Sequence, residues 1–321
     1  MPVGGNRTVA SGQRRNRAAE VFHNEMSPLK TALAGILAAF NQDPYTLFAQ
    51  PRHDPELYSE PPGEAVTFWG HACVYIDVRG RGIVTDPVFG RRYSPLNGRR
   101  IPSPPPSAYE ATRVILISHA HSDHLQPRTL ARFPKRATIL CPPPSERYVR
   151  GLGPRVRVMR VGDEYTIRGA SIMAVPADHP GGRYSHIAEA DGRALGYVIR
   201  TENGTVYYSG DTDYFPGIET IGRSCQPDLA LLNVNAHLRP ADALRAAEAL
   251  GSPPVVPLHL GAYGGRAARR GRRWHREFLE MAGPLALPLA VGQSVLLNDS
   301  LSDPVDASRP TLRLVRDSSG C

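Results

Sequence analysis

An apolar run at residues 114–117 breaks off at Ser118 and runs into His119-Ala120-His121-Ser122-Asp123-His124. The run reads as a buried strand. A strand that empties into three histidines and an aspartate narrows the fold sharply, because such side chains are seldom buried without a compensating partner. A divalent cation supplies that partner. In an extended segment His119 and His121 point to the same side. Asp123 and His124 follow where the chain turns, so they can point elsewhere. This geometry suits two metal ions better than one. Nitrogen and carboxylate donors without thiolate fit zinc, with manganese and iron as alternatives.

The pattern recurs along the chain. His179 follows an apolar strand expected over residues 170–175, and Pro180-Gly181-Gly182-Arg183 comes next. Two consecutive glycines let the backbone turn sharply or approach a ligand. Asp211 lies in Gly210-Asp211-Thr212-Asp213 at the end of a strand expected over 206–209, and His259 ends another over 255–258. Four strand ends thus deliver His119, His179, Asp211 and His259 in order. A carboxylate shared by two ions would reduce their repulsion. From the residues alone, Asp211 and Asp213 are both candidates for it. His237, just ahead of a helix expected over 240–250, can serve as proton donor or oxyanion-stabilising group, and reads equally well as an ordinary loop histidine.

His-x-His-x-Asp-His after a hydrophobic strand resembles the metallo-β-lactamase superfamily. VTFWGHACVYIDVRGRGIVTDPVFGRRYSP, YYSGDTDY, LLNVNAHLRPADALRAAEAL and VVPLHLGAY resemble blocks of its branch that contains N-acyl-phosphatidylethanolamine-hydrolysing phospholipase D. The likeness spans roughly residues 65–295. It implies an α/β fold of the αββα sandwich type, two mixed sheets face to face with helices outside and the metals at one edge. It implies one ion on His119, His121 and His179, a second on Asp123, His124 and His259, and Asp211 as the bridge. His71 and Asp86 are implied to lie close to the metals, with Asp86 orienting a ligand histidine through its other ring nitrogen. The resemblance also favours the functional reading of His237. The chain departs from that branch at His179-Pro-Gly-Gly-Arg183, with a further histidine at His186. The branch carries His-Trp-Ser followed by Arg, and the difference bears on a lipid substrate more than on the metal site.

Such a ligand set brings about two negative charges against the four of two divalent ions, and the excess positive charge favours a bridging hydroxide at neutral pH. The expectation is a dinuclear metal-dependent hydrolase, zinc first, acting on a phosphodiester or related anionic ester, with Asp123 and His237 as catalytic candidates. Tyr93, in a long Pro- and Arg-rich loop over 87–106, joins Arg183 and His186 as a candidate for substrate contact. A lactonase is the near alternative. A diiron redox enzyme and a non-catalytic anion- or nucleic-acid-binding protein belong to other classes. The intact ligand pattern argues against a pure binder, and no RNA-binding signature or zinc-finger spacing is present. The expected partner is a small anionic molecule, a phosphodiester or a lipid, with no stable nucleic-acid partner.

The net charge of +8 favours anionic partners in general. Its densest source is Arg266, Arg269, Arg270, Arg272, Arg273 and Arg276, read as a solvated basic loop leading into a helix over 273–281, or as an anion-attracting rim near the mouth of the site. Residues 1–25 read as a flexible basic tail and 26–64 as a helix followed by an extended connection. The helix rests on the spacing of Leu29, Leu33, Ile36 and Phe40. Residues 65–300 form the expected metallo-β-lactamase-like domain, and 301–321 a polar tail. The absence of a long apolar run or a secretory layout predicts a cytoplasmic protein without a transmembrane span. Cys73, Cys141 and Cys225 are expected as buried free thiols, with Cys321 in the tail.

Overall fold

The computed structural model describes residues 63–94, 97–183, 193–260, 262–264, 266–297 and 311–313. The expected basic tail, nearly all of the segment 26–64 and most of 301–321 lie outside the described residues, as do His186 and the side chain of Tyr93.

Three strands open the described chain: β1 (Ala65–Gly70), β2 (Cys73–Val78) and β3 (Arg81–Thr85). They pair antiparallel, and Arg79 and Gly80 turn the chain between the last two with φ of 53° and 72°. The segment read as a loop over 87–106 contains a small hairpin, β4 (Arg92–Ser94) with β5 (Asn97–Gly98), and a short helix α1 (Pro106–Glu110) starts at its last residue. Next come β6 (Thr112–Leu116), α2 (Pro127–Leu130), β7 (Thr138–Cys141), α3 (Pro143–Val149) and β8 (Arg155–Val158). Each of these helices opens on a proline, whose missing N–H costs nothing at a first turn.

The second half runs β9 (Glu164–Ile167), β10 (Ala170–Pro180), β11 (Arg193–Thr201), β12 (Gly204–Tyr208), α4 (Gly217–Cys225), β13 (Leu229–Asn233), α5 (Pro240–Ala249), β14 (Val255–Leu258), α6 (Arg266–Ala282), β15 (Ser294–Leu296) and β16 (Thr311–Arg313). Two large mixed sheets result. One has the order β16-β15-β1-β2-β3-β6-β7-β8, the other β14-β13-β12-β11-β10-β9.

Strand alternation distributes the apolar side chains into layers. Val114 and Leu116 of β6 face inward and meet Ile172, Tyr197, Tyr208 and Leu231 of the other sheet. Ile115 and Ile117 face outward, against Tyr109, Leu130 and Val149 of the first three helices. Tyr207 likewise faces out, toward Ile221, Ala246 and Phe278 of the last three. Both faces of both sheets are therefore covered, which is why the strands read as near-continuous apolar runs. The architecture is the α/β sandwich of mixed sheets flanked by helices that the sequence implied. Among the described residues no helix is long and apolar enough to cross a membrane. Cys73, Cys141 and Cys225 are buried free thiols.

The arginine cluster differs from expectation. It is not a loop before a helix, because α6 already begins at Arg266. Arginine is a good helix former, and Gly271 is accommodated where the helix nears Leu260; a Cβ there would stand 3.2 Å from Leu260 Cδ1. β10 runs on past the expected 170–175 to Pro180, so that His179 lies in its last stretch, at the strand end as expected.

Candidate metal centre

The predicted metal ligands, with His71, Asp86 and His237, gather at one edge of the sandwich. β3 ends at Asp86, β6 leads to His119, β12 to Asp211, β13 to Asn233 and Asn235, and β14 to His259, while His71 turns the chain between β1 and β2. Backbone hydrogen bonds lace the two sheets together here. Leu195 N–H donates to Ser118 O at 2.9 Å, Ala120 N–H to Gly181 O at 3.0 Å, and His259 N–H to His71 O at 2.8 Å. His71, Asp86 and His259 hold left-handed backbones, with φ of 62°, 33° and 77°. Non-glycine residues persist there only where their surroundings over-determine them.

Two clusters of donor atoms result. In the first, His119 Nε2 and His179 Nε2 stand 2.9 and 3.2 Å from His121 Nδ1. In the second, His124 Nε2 is 3.1 Å from His259 Nε2, and Asp123 Oδ2 is 3.7 Å from His259 Nε2 and 3.6 Å from His71 Nε2. His71 thus belongs to the second group directly. Asp211 lies between the clusters, its Oδ2 3.3 Å from His124 Nε2 and its Oδ1 3.6 Å from His259 Nε2, and its charge acts on His119 and His179 as well.

These distances fit divalent ions. Two nitrogens each ~2.1 Å from a tetrahedral zinc stand roughly 3.4 Å apart. The protonation states of the ligands other than His124 fit as well; burial would lower His124, but the Asp211 and Asp86 carboxylates outweigh it and hold that ring above the usual histidine range, so it gives up a proton to bind metal. Burial, with the neighbouring histidines, holds His119 and His121 below the usual histidine range and His179 and His259 down at about 3. Their rings are neutral at pH 7, with lone pairs converging on one another. Burial would raise the Asp123 and Asp211 carboxyls, but the surrounding histidines outweigh it and hold both well below the carboxylate range. Neutral imidazoles and ionised carboxylates are the forms that bind metal.

The surrounding groups are ordered by hydrogen bonds. Asp86 accepts from Ser118 N–H at 2.8 Å through Oδ1, and from Ser118 Oγ, Tyr208 OH and His124 Nδ1 at 2.5, 2.5 and 2.7 Å through Oδ2. Ser118 Oγ, having donated to Asp86, accepts from His119 Nδ1 at 2.9 Å. One carboxylate therefore orients a histidine of each cluster. Asn233 and Asn235 donate to Asp211 Oδ1 at 2.9 and 2.8 Å. Neither asparagine was singled out in the sequence, although their two-residue spacing at a strand end places both on one side. Arg183 points away from the clusters and donates to Ala120 O and Leu125 O at 3.0 and 2.7 Å, bracing the loop that carries His121 to His124. His237 stands beside His179, ring centroids 4.3 Å apart, with its Nδ1 3.5 Å from Asp213 Oδ1. Asp213 is exposed and joins neither cluster.

A cleft of about 270 Å³ opens over the second cluster, lined by His71, Asp123, Asp211 and His259 at its base and by His237 and part of α6 above.

The chain is similar to known proteins of this fold. Residues 81–260 match the family described as "Beta-lactamase superfamily domain". A "UPF0173 metal-dependent hydrolase" of Pelotomaculum thermopropionicum is 31% identical over 202 residues, 62% of this chain and 85% of the relative. A protein of the same description from Methanopyrus kandleri is 28% identical over 206 residues, 62% of this chain and 84% of its own. Among solved structures, a possible metal-dependent hydrolase from Veillonella parvula superposes with a TM-score of 0.59 at 15% identity, covering 72% of this chain and 98% of that one.

Proposed function

We propose that this chain, which belongs to the beta-lactamase superfamily, is a metal-dependent hydrolase that uses two divalent ions, zinc first, on a phosphodiester or related anionic ester. One observation carries the reading: neutral ring nitrogens from three histidines converge within 3.2 Å beside a second group that shares Asp211. Hydrogen bonding alone does not account for that convergence, because neutral imidazoles have too few protons for all the facing lone pairs.

In this reading His119, His121 and His179 would hold one ion and Asp123, His124 and His259 the other, with Asp211 placed to serve both. His71 supports Asp123. When bound, such a pair supplies Lewis acidity and lowers the pKa of water toward neutrality. The chain's own groups do the rest. Asn233 and Asn235 fix Asp211 by its Oδ1. Asp86 fixes the tautomer of His124, leaving Nε2 as the donor. His237, at the cleft wall, can pass a proton to the departing group, with Asp213 aligning its ring. The donor set is rich in nitrogen, which favours zinc over the carboxylate-rich sites of oxygen-activating iron. The phosphodiester is supported by the likeness of the sequence blocks to the phospholipase D branch and by the chain's positive charge.

The test is metal content of the purified protein, with hydrolysis of bis(p-nitrophenyl) phosphate and of a lactone measured on the same sample. About two zinc or manganese ions per chain, with hydrolysis abolished in Asp211→Asn, would support the proposal, and the preferred substrate would decide between diesterase and lactonase. Two irons with oxygen consumption and no hydrolysis would replace it with a redox enzyme. No bound metal after reconstitution would refute it.

A further inference from the structure

The cleft wall opposite His237 is built by α6 and the segment just before it, and the family match stops at residue 260, short of both. This wall is mostly apolar: Leu260, Tyr263, Ala268 and Trp274 line it, and Val234 adds to the cleft from the segment that carries His237. One cation breaks the surface. Arg270 lines the same cleft, one helical turn before Trp274, with its guanidinium carbon 5.9 Å from the centroid of the indole. Arg270 is exposed, and among the described residues it has no acidic partner. Arg269, Arg273 and Arg276 share its helix and are also exposed, but none of them lines the cleft.

From this arrangement, and resting on the hydrolase reading above, we propose that Arg270 and Trp274 select the substrate: a small molecule whose anionic group pairs with Arg270 while an aromatic or alkyl body lies on Trp274. The physical grounds are direct. A guanidinium binds phosphate or carboxylate through a planar fork of donors. Set beside the indole, it holds its charge next to the part of that ring that lines the cleft. Gly264, in the same lining, packs against Arg100: a Cβ there would come within 2.3 Å of Arg100 Nε. The Tyr263 hydroxyl is engaged, donating to Val88 O at 2.8 Å, so this residue presents its ring rather than its oxygen. A fully polar anion finds one charge here and nothing for its remaining surface. A neutral apolar molecule finds the surface but not the charge.

The chain carries two tryptophans, and this gives a readout independent of turnover. Trp69 is buried against Tyr75 in the outer core of the first sheet and does not line the cleft, so Trp274 is the indole that a ligand in the cleft meets. Titrate the full-length protein as purified with phenyl phosphate and with phenol. Phenyl phosphate is expected to quench the emission, and Trp274→Phe to abolish the signal. Arg270→Gln should weaken phenyl phosphate about tenfold, the scale of one charge-assisted hydrogen bond, and leave phenol unchanged. Arg273→Gln removes the same charge from the same helix outside the cleft and should leave both ligands unchanged. Equal weakening by the two glutamine variants would mean that only the general field of the basic helix is felt, and would overturn the proposal. So would unaltered binding in Arg270→Gln, or no quenching in the wild type. Quenching that follows the expected pattern in a protein that hydrolyses nothing would keep the anion-and-apolar subsite and refute the hydrolase reading instead.

Discussion

Replacing Asp86 by asparagine should weaken the second metal cluster far more than the first. The side chain is buried and takes four donors, one on Oδ1 and three on Oδ2. Asparagine can turn its carbonyl toward the three-donor side. Its amide then faces Ser118 N–H, where Oδ1 now accepts at 2.8 Å, and two donors oppose each other. An unmet buried donor costs about 1–3 kcal/mol, and each of the other three bonds drops from charge-assisted to neutral strength, losing roughly half its worth. The sum is not additive, because one acceptor serves all four, and removing a buried charge recovers some desolvation cost. A net loss of about 3 kcal/mol in the metal-free fold follows. For metal binding, losing a carboxylate behind a ligand histidine typically costs about 10–100-fold in affinity. That loss falls directly on His124, whereas His119 feels Asp86 only through Ser118 Oγ. Competition with a chromophoric chelator, resolving two binding steps, should show one step weakened by that factor and the other by much less. Ser118→Ala should reverse the order, since it strips the partner of His119 Nδ1 and leaves the bond from His124 to Asp86 intact. Two unchanged binding steps in Asp86→Asn, alongside a lowered melting temperature, would reduce Asp86 to a structural residue and refute the reasoning.

Gly210 has φ of 56°, and a Cβ there would lie 2.5 Å from Ser118 Cβ and 3.1 Å from Leu195 O. Gly210→Ala should therefore push apart the segments bearing His119 and Asp211 and destabilise the fold by at least ~3 kcal/mol, read from urea unfolding midpoints. Asn235→Asp replaces an amide donor 2.8 Å from Asp211 Oδ1 with a like charge; the metal-free protein should lose about 2 kcal/mol and regain most of it on adding zinc, in paired thermal melts. Burial holds His275 down at about 4 while it bonds Leu258 O at 2.7 Å. An unfolded histidine titrates near 6.5, so the unfolded chain binds the proton first. Stability from this group is complete above about pH 6.5 and falls by up to ~1.4 kcal/mol per unit as the pH drops toward 4. His275→Gln should flatten that part of the stability–pH curve.

The site was legible wherever an apolar strand ended in a ligand type. His119, Asp211 and His259 each follow an uninterrupted buried run, and the sandwich gives such runs a shared edge. What stayed hidden was hidden for physical reasons. Asn233 and Asn235 carry no charge, and asparagine after a strand reads as turn chemistry until its partner, Asp211 from a different strand, is known. The start of α6 was obscured because its buried stripe runs Gly271, His275, Phe278, Ala282. The four-three-four spacing is helical, but glycine and histidine do not register as apolar, so only the arginines between them stand out. β9 is an edge strand whose alternate residues are exposed, so its four residues show no apolar run in the sequence.

The distances within the site were beyond reach of the sequence for a deeper reason. Each cluster draws on both sheets: His119 and His121 come from the end of β6, and His179 from β10; Asp123 and His124 follow β6, and His259 follows β14. Ligand spacing is therefore set by how the inward faces of the sheets pack, by Leu116 and Tyr208 against their neighbours, and by the cross-sheet bonds at Ser118, Ala120 and His71. A linear motif names the donors contributed by one strand. The opposing half of each cluster is a product of core packing, and a close-packed interior transmits small changes in side-chain volume instead of absorbing them. Substitutions at the inter-sheet core near this edge thus belong to the metal chemistry as much as to stability.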